Sequence, residues 1–184
     1  MLIHVAVTGH RPQRLGGFSP NNPLMQAIET HLSALLSQLR DHGCEVIGIS
    51  GMALGVDQAF ARACRALSIP FHAYIPFPGQ EHIWPTDSQL AYRRLLDQAS
   101  ACVVVCHEAL SAHDVRRALL ARNSAMVADA QAAIAIWDGN PGGTADAVRK
   151  FRAANRPLLI LHPHRLCDDT AVKQWLVTLH ASRT

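Results

Sequence analysis

The sequence predicts an α/β fold: a single-domain, Rossmann-like, doubly wound and mainly parallel sheet of about six strands, with helices on both faces. Three observations carry that expectation. Short, nearly continuous apolar runs recur along the chain, as they do in strands covered on both sides. Amphipathic helical patterns lie between them. The alternation continues from one end of the chain to the other, without linker, internal repeat or low-complexity stretch, which is how repeated strand–helix–strand units read. The 184 residues, 49% of them hydrophobic and 17% charged, suit one domain over 1–184 with a real core.

The elements follow in order. Leu2–Val7 is the first strand. Asn22 before Pro23 makes a cap and first-turn proline for a helix whose stripe is Leu24, Ile28, Leu32, Leu35 and Leu39, and Gly43 stops it. Val46–Ile49 is the second strand, with a helix over Asp57 to Leu67. Phe71–Ile75 is the third, with a helix over Ser88 to Ala99. After the fourth strand, Ala101–Val105, Ser111 caps a helix with Asp114 at its third position and Val115, Leu119 and Met126 as its apolar face. Ala132–Trp137 and Leu158–Leu161 complete the sheet, with helices over Thr144 to Ala154 and Asp169 to His180.

Composition removes several function classes. No stretch approaches the roughly 20 apolar residues of a membrane span, and the start of the chain lacks the pattern of a signal peptide. Five cysteines, an odd number, fit reduced thiols in a cytoplasmic protein better than a disulfide framework. A net charge of +3 allows phosphorylated ligands without demanding nucleic acid. "CVVVCH" and "HPHRLC" hold metal-ligand residue types, but strand spacing in the first and a missing fourth ligand in the second argue against a metal site. No G-x-S-x-G elbow and no Walker lysine occur, which excludes serine hydrolase and P-loop kinase chemistry.

In doubly wound sheets ligands sit outside the carboxyl ends of the strands. The first strand ends in "TGHRP": Thr8 and Gly9 give backbone access, and His10 and Arg11 offer side-chain donors. The second ends in "SGMALGVDQ", where Gly51 and Gly55 bracket a turn into a helix with Asp57 in its first turn, a place that favours an anion. The third ends in a loop with Gln80, Glu81 and Trp84, polar and aromatic together. The fifth ends in "WDGNPGGT", where Asp138, Gly139 and the Gly142–Gly143–Thr144 turn lead into a helix; the paired glycines admit a phosphate, and the Thr144 hydroxyl either caps the helix or donates to the anion. Arg122 and Asn123, side by side on the fourth helix, direct a guanidinium and an amide toward the same cleft.

Taken together these segments resemble the SLOG superfamily, which unites the DNA-processing protein Smf/DprA with the Lonely Guy (LOG) phosphoribohydrolases, and look most like its YpsA-related branch. The resemblance rests on "TGHRP", "SGMALGVDQAFARAC", "PFPGQEHIW", Tyr92 with "LLDQAS", "RNSAMV" and "WDGNPGGT", which follow one another across nearly the whole chain. It implies a Rossmann-like sheet with a nucleotide-type ligand of the NAD, ADP-ribose or nucleoside monophosphate kind above the strand ends, no further cofactor, and a homodimer. LOG enzymes carry P-G-G-x-G-T-x-x-E, whose glutamate acts in N-glycosidic cleavage. The matching position here is Ala147, the neighbouring acid is Asp146, and the second basic residue of the LOG helix motif is replaced by Asn123. A binding or sensing module with little or no turnover is therefore the leading expectation. The alternatives are an N-glycosidase using Glu81 or Asp138 as its acid, with Asp146 facing solvent or capping its helix, and DprA-like single-stranded DNA binding.

Overall fold

A computed structural model describes residues 1–19, 21–107 and 111–181, apart from the side chains of residues 112, 113 and 180. Six parallel strands form its sheet: β1 (Leu2–Gly9), β2 (Glu45–Ser50), β3 (Phe71–Ile75), β4 (Ala101–Val104), β5 (Ala132–Ile136) and β6 (Leu158–Leu161). Their spatial order is β4-β3-β2-β1-β5-β6, a doubly wound, Rossmann-like arrangement. The helices are α1 (Pro23–Asp41), α2 (Val56–Ala66), α3 (Thr86–Leu96), α4 (Ala112–Asp129), α5 (Gly143–Ala153) and α6 (Asp169–Ala181).

The period-2 alternation of β1 sorts its side chains between two cores. Ile3, Val5 and Val7 enter the larger one with Leu32 and Leu36 of α1, Phe60 of α2 and Trp175 of α6. Ala6 faces the other way, with Ala133 of β5, Met126 of α4 and Phe151 of α5. Ile49 of β2 and Tyr74 of β3 join the second cluster, so both faces of the sheet are covered. None of the helices among the described residues is long and apolar enough to cross a membrane.

Helix starts show where local signals decide. The Asn22 side chain accepts from the N–H groups of Leu24 and Met25, with Pro23 in the first turn, and Ser111 and Asp114 form a reciprocal capping box. The Gly142–Thr144 turn differs from its expectation. Its N-cap is Gly142, which has no side chain to cap with, so Thr144 is not the cap. A second difference lies in β4. Its apolar run suggests cover on both faces, yet β4 ends the sheet, Cys102 and Val103 are exposed, and the strand stops at Val104.

Candidate functional site

The sheet reverses its winding direction between β1 and β5, whose ends lie side by side with Gly9 opposite Ile136. A crevice opens at such a switch point because the connections from the two strands leave to opposite sides. Here it is a cleft of about 690 Å³ between the β1 loop, the start of α2, one side of α4 and the start of α5. Thr8, Gly9, His10, Arg11, Asp57, Arg122, Asn123, Gly142, Gly143 and Thr144 line it, so most of the residues singled out in the sequence converge.

The back wall depends on two glycines. A Cβ on Gly51 would lie 1.1 Å from Arg122 Nη1, so the end of β2 must carry no side chain for the α4 arginine to lie across it. There Arg122 Nη1 donates to Asp57 Oδ2 at 3.0 Å, with both side chains at least nine-tenths buried. Gly55 adopts φ +99°, and a Cβ there would come within 2.4 Å of the His10 carbonyl, which packs the β1 loop against α2. Burial pushes the Asp57 carboxyl above its ordinary range, against the opposing pull of Arg122 and a hydrogen bond from the Ala53 N–H. Arg122 Nε is buried without a partner.

The floor is tied across the switch point by His10, which is 6% exposed. Its Nε2 lies 2.7 Å from Asp138 Oδ1 and 3.2 Å from the Asp138 backbone nitrogen. The ring accepts from that N–H in one tautomer and donates to the carboxylate in the other. Through Nε2, His10 is thereby a strut between the two loops. Asp138 also accepts from the side chain and backbone N–H groups of Asn140, and these bonds, followed by the one to His10, hold its carboxyl well below the usual range. A carboxyl depressed in the folded state stabilises it above the unfolded value and ceases to as pH falls below about 3.9. Acid melting profiles of D138N are accordingly expected to be flatter than the parent's below that pH; parallel profiles would mean the Asn140 and His10 contacts contribute nothing.

The α5 side is arranged around Asp146. It is 8% exposed and bonded to Asn123 Nδ2 at 3.1 Å, to Lys150 Nζ at 2.9 Å and to Arg149. Burial works to raise its carboxyl, but the Lys150 and Asn123 hydrogen bonds with the Lys150 and Arg149 charges outweigh this and leave it lowered. That corrects the expectation that Asp146 faces solvent or caps its helix. Asn123 also donates to the Gly143 carbonyl at 3.2 Å, so its amide positions the glycine turn.

Beyond the back-wall glycines, five candidates stand apart from the cleft lining. Gln80 donates to the Tyr92 hydroxyl, Glu81 pairs with Arg93 at 3.3 Å, and Trp84 packs edge-on against Tyr92 with ring centroids 5.3 Å apart. All three are turned onto α3, because the loop after β3 folds back over its own helix. Asp138 lies behind His10 and Asn140, so neither acid expected to transfer a proton lines the cleft, while Asp57 and Asp146 do. Gly139, at φ +89°, serves the Asp138–Asn140 turn. Sequence reading missed Arg14, Arg116 and Arg149, which line the cleft from the β1 loop, α4 and α5. For Arg116 and Arg149 the available signal was helical spacing from Asn123 and Asp146; Arg14, in the turn Pro12–Arg14, offered none.

The family model YpsA, described as the YspA SLOG family, matches residues 5–157. An uncharacterized SPbeta prophage-derived protein of Bacillus subtilis (strain 168), YoqJ, is 29% identical over 161 residues, 77% of this chain and 91% of that protein. A UPF0398 protein of Bacillus pumilus (strain SAFR-032) is 32% identical over 108 residues, 56% of this chain; the chain spans only 58% of that relative. Among solved structures, DNA processing protein A from Helicobacter pylori, described with a single-stranded DNA binding mode, superposes with a TM-score of 0.60 at 21% identity, over 96% of this chain and 72% of that one. That likeness is one of fold. With the family model covering 5–157, the chain belongs to the YspA SLOG family.

Proposed function

We propose that the cleft binds a nucleotide-derived small molecule of the NAD, ADP-ribose or nucleoside monophosphate type, with a phosphate at the Gly142–Gly143 turn. The observation that carries this reading is the start of α5. Its first intrahelical bond runs from the Asp146 N–H to the Gly142 carbonyl, so the N–H groups of Gly143, Thr144 and Ala145 precede the hydrogen-bond ladder, and all three residues line the cleft. The helix dipole adds positive potential at the same point, and Arg11, Arg14, Arg116 and Arg149 surround it.

A cleft of this size suits a small ligand. No phenyl, phenol or indole ring lines it among the described residues, so it lacks the stacking platform that favours single-stranded DNA. Turnover is the weaker reading, since Glu81 and Asp138 do not line the cleft and Asp57 is committed to Arg122. A cytoplasmic homodimer needing no separate cofactor belongs to the same proposal.

A ligand bound by the native state alone raises stability by RT ln(1 + [L]/Kd). Thermal melts with millimolar NAD, ADP-ribose, AMP, GMP, CMP and UMP are expected to show a clear rise with at least one compound. Flat melts across the panel would overturn the proposal.

A further inference from the structure

We propose a second binding site, at the free edge of β6, for a small carboxylate with an apolar tail. It shares no residue with the cleft. The groove, of about 560 Å³, lies between the carboxyl end of α5, the strand β6 and one face of α6.

The sheet ends here. The Ala133 N–H donates to the Pro157 carbonyl and the Trp137 N–H to the Leu161 carbonyl, both at 2.9 Å. In a parallel ladder alternate residues turn their peptide groups to the same neighbour, so Leu158 and Ile160 turn theirs to the open edge. Their half-buried side chains form the apolar wall with Ala171.

The charged groups at the groove are all cationic, and Asn155, Gln174 and Thr178 are its neutral polar side chains. Trp175 is 4% exposed, and its indole N–H is buried without an acceptor. Arg156 Nε is buried and unpartnered as well. Arg152 adds a second cation, and no acidic residue lines the groove among the described residues. Buried donors without acceptors are uncommon because each is costly. A carboxylate carries acceptors alone and one negative charge, which answers both the donors and the guanidinium groups. Phosphate would bring a second charge to an apolar wall at greater desolvation cost. A second copy of this chain would bring the same arginines and is disfavoured by like charge.

The test is a ¹⁵N-resolved titration of the three tryptophan indole N–H signals with sodium hexanoate, hexanol, inorganic phosphate and an acetylated, amidated Glu-Val-Glu-Val peptide. W175F assigns the Trp175 signal; should that variant not fold, W84F and W137F assign it by elimination. Hexanoate is expected to shift the Trp175 signal saturably, and R156Q or R152Q to weaken the response about tenfold. An equal shift with hexanol would reduce the site to an apolar groove. An equal shift with phosphate would reduce it to a non-selective anion site, and tighter binding of the peptide would make it a docking edge for an acidic strand. Each of those results, or no shift at all, overturns the proposal.

Discussion

Replacing Arg122 by alanine is expected to lower the folding free energy by about 3–5 kcal/mol at neutral pH, the usual cost of removing one partner from a buried ion pair. For a chain of 184 residues, at roughly 2–4 °C per kcal/mol, that is a drop of about 6–20 °C in Tm. The loss comes mainly from Asp57, left buried at 5% exposure with the Ala53 N–H and the weaker pull of the Arg11 charge. Its carboxyl already sits above the ordinary range, so the folded protein keeps this proton to a higher pH than the unfolded chain does. Such a group costs stability as pH rises from its unfolded value, about 3.9, to its folded value, and the cost then stays constant. Without Arg122 the folded value moves further up and the window widens. R122A is therefore expected to recover part of its loss on acidification toward pH 4, and R122A/D57N to recover it at neutral pH. A loss that is independent of pH and unrelieved by D57N would show that the missing side-chain volume, and not the stranded charge, sets the cost.

The same pair shows why part of the site was legible in the sequence and part was not. Thr8 and Gly9 close β1, Gly142 and Gly143 lie beyond β5, and the rule that ligands gather at strand ends finds them from local pattern alone. The caps at Asn22 and Ser111 are equally local. What Gly51 does is not. Its absent side chain makes room for an arginine on α4, and nothing near Gly51 in the chain announces that contact. Asp146 was misjudged for a similar reason: a first-turn acid reads as dipole complement, but α4 packs over it and supplies Asn123. Gln80, Glu81 and Trp84 sit at a strand end as the rule requires, yet the loop curls onto α3, where Tyr92 and Arg93 take their polar groups. β4 shows the limit of apolar runs, since hydrophobicity did not tell the edge of the sheet from its interior.

Substitution of Gly143 by valine is expected to abolish the ligand response while leaving the fold intact. Gly143 begins α5 on the cleft wall, and a Cβ built there meets nothing within 4 Å. The new side chain would thus occupy the space in which a phosphate approaches the backbone. Gly142 is the unsuitable choice for this test, because its φ of +153° strains any other residue. At Gly143 no positive φ stands in the way, and Asn123 holds the turn through the Gly143 carbonyl, which valine retains. A ligand present at 100 times its Kd stabilises the parent by about 2.7 kcal/mol, or roughly 5–11 °C at this chain length. That shift is expected to vanish in G143V, with the circular dichroism spectrum unchanged and the ligand-free Tm within a few degrees of the parent's. A β-branched residue at the first position of a helix costs little, since the crowding that disfavours it acts against a preceding turn that is not there. If G143V keeps the full ligand shift, the phosphate does not sit at α5, and the arginines of the β1 loop and α4 become the anchor to test next. If it loses the shift together with its native spectrum, the Asn123 contact depends on more than the retained carbonyl, and G143A, which adds one methyl group, separates blocked access from a broken turn.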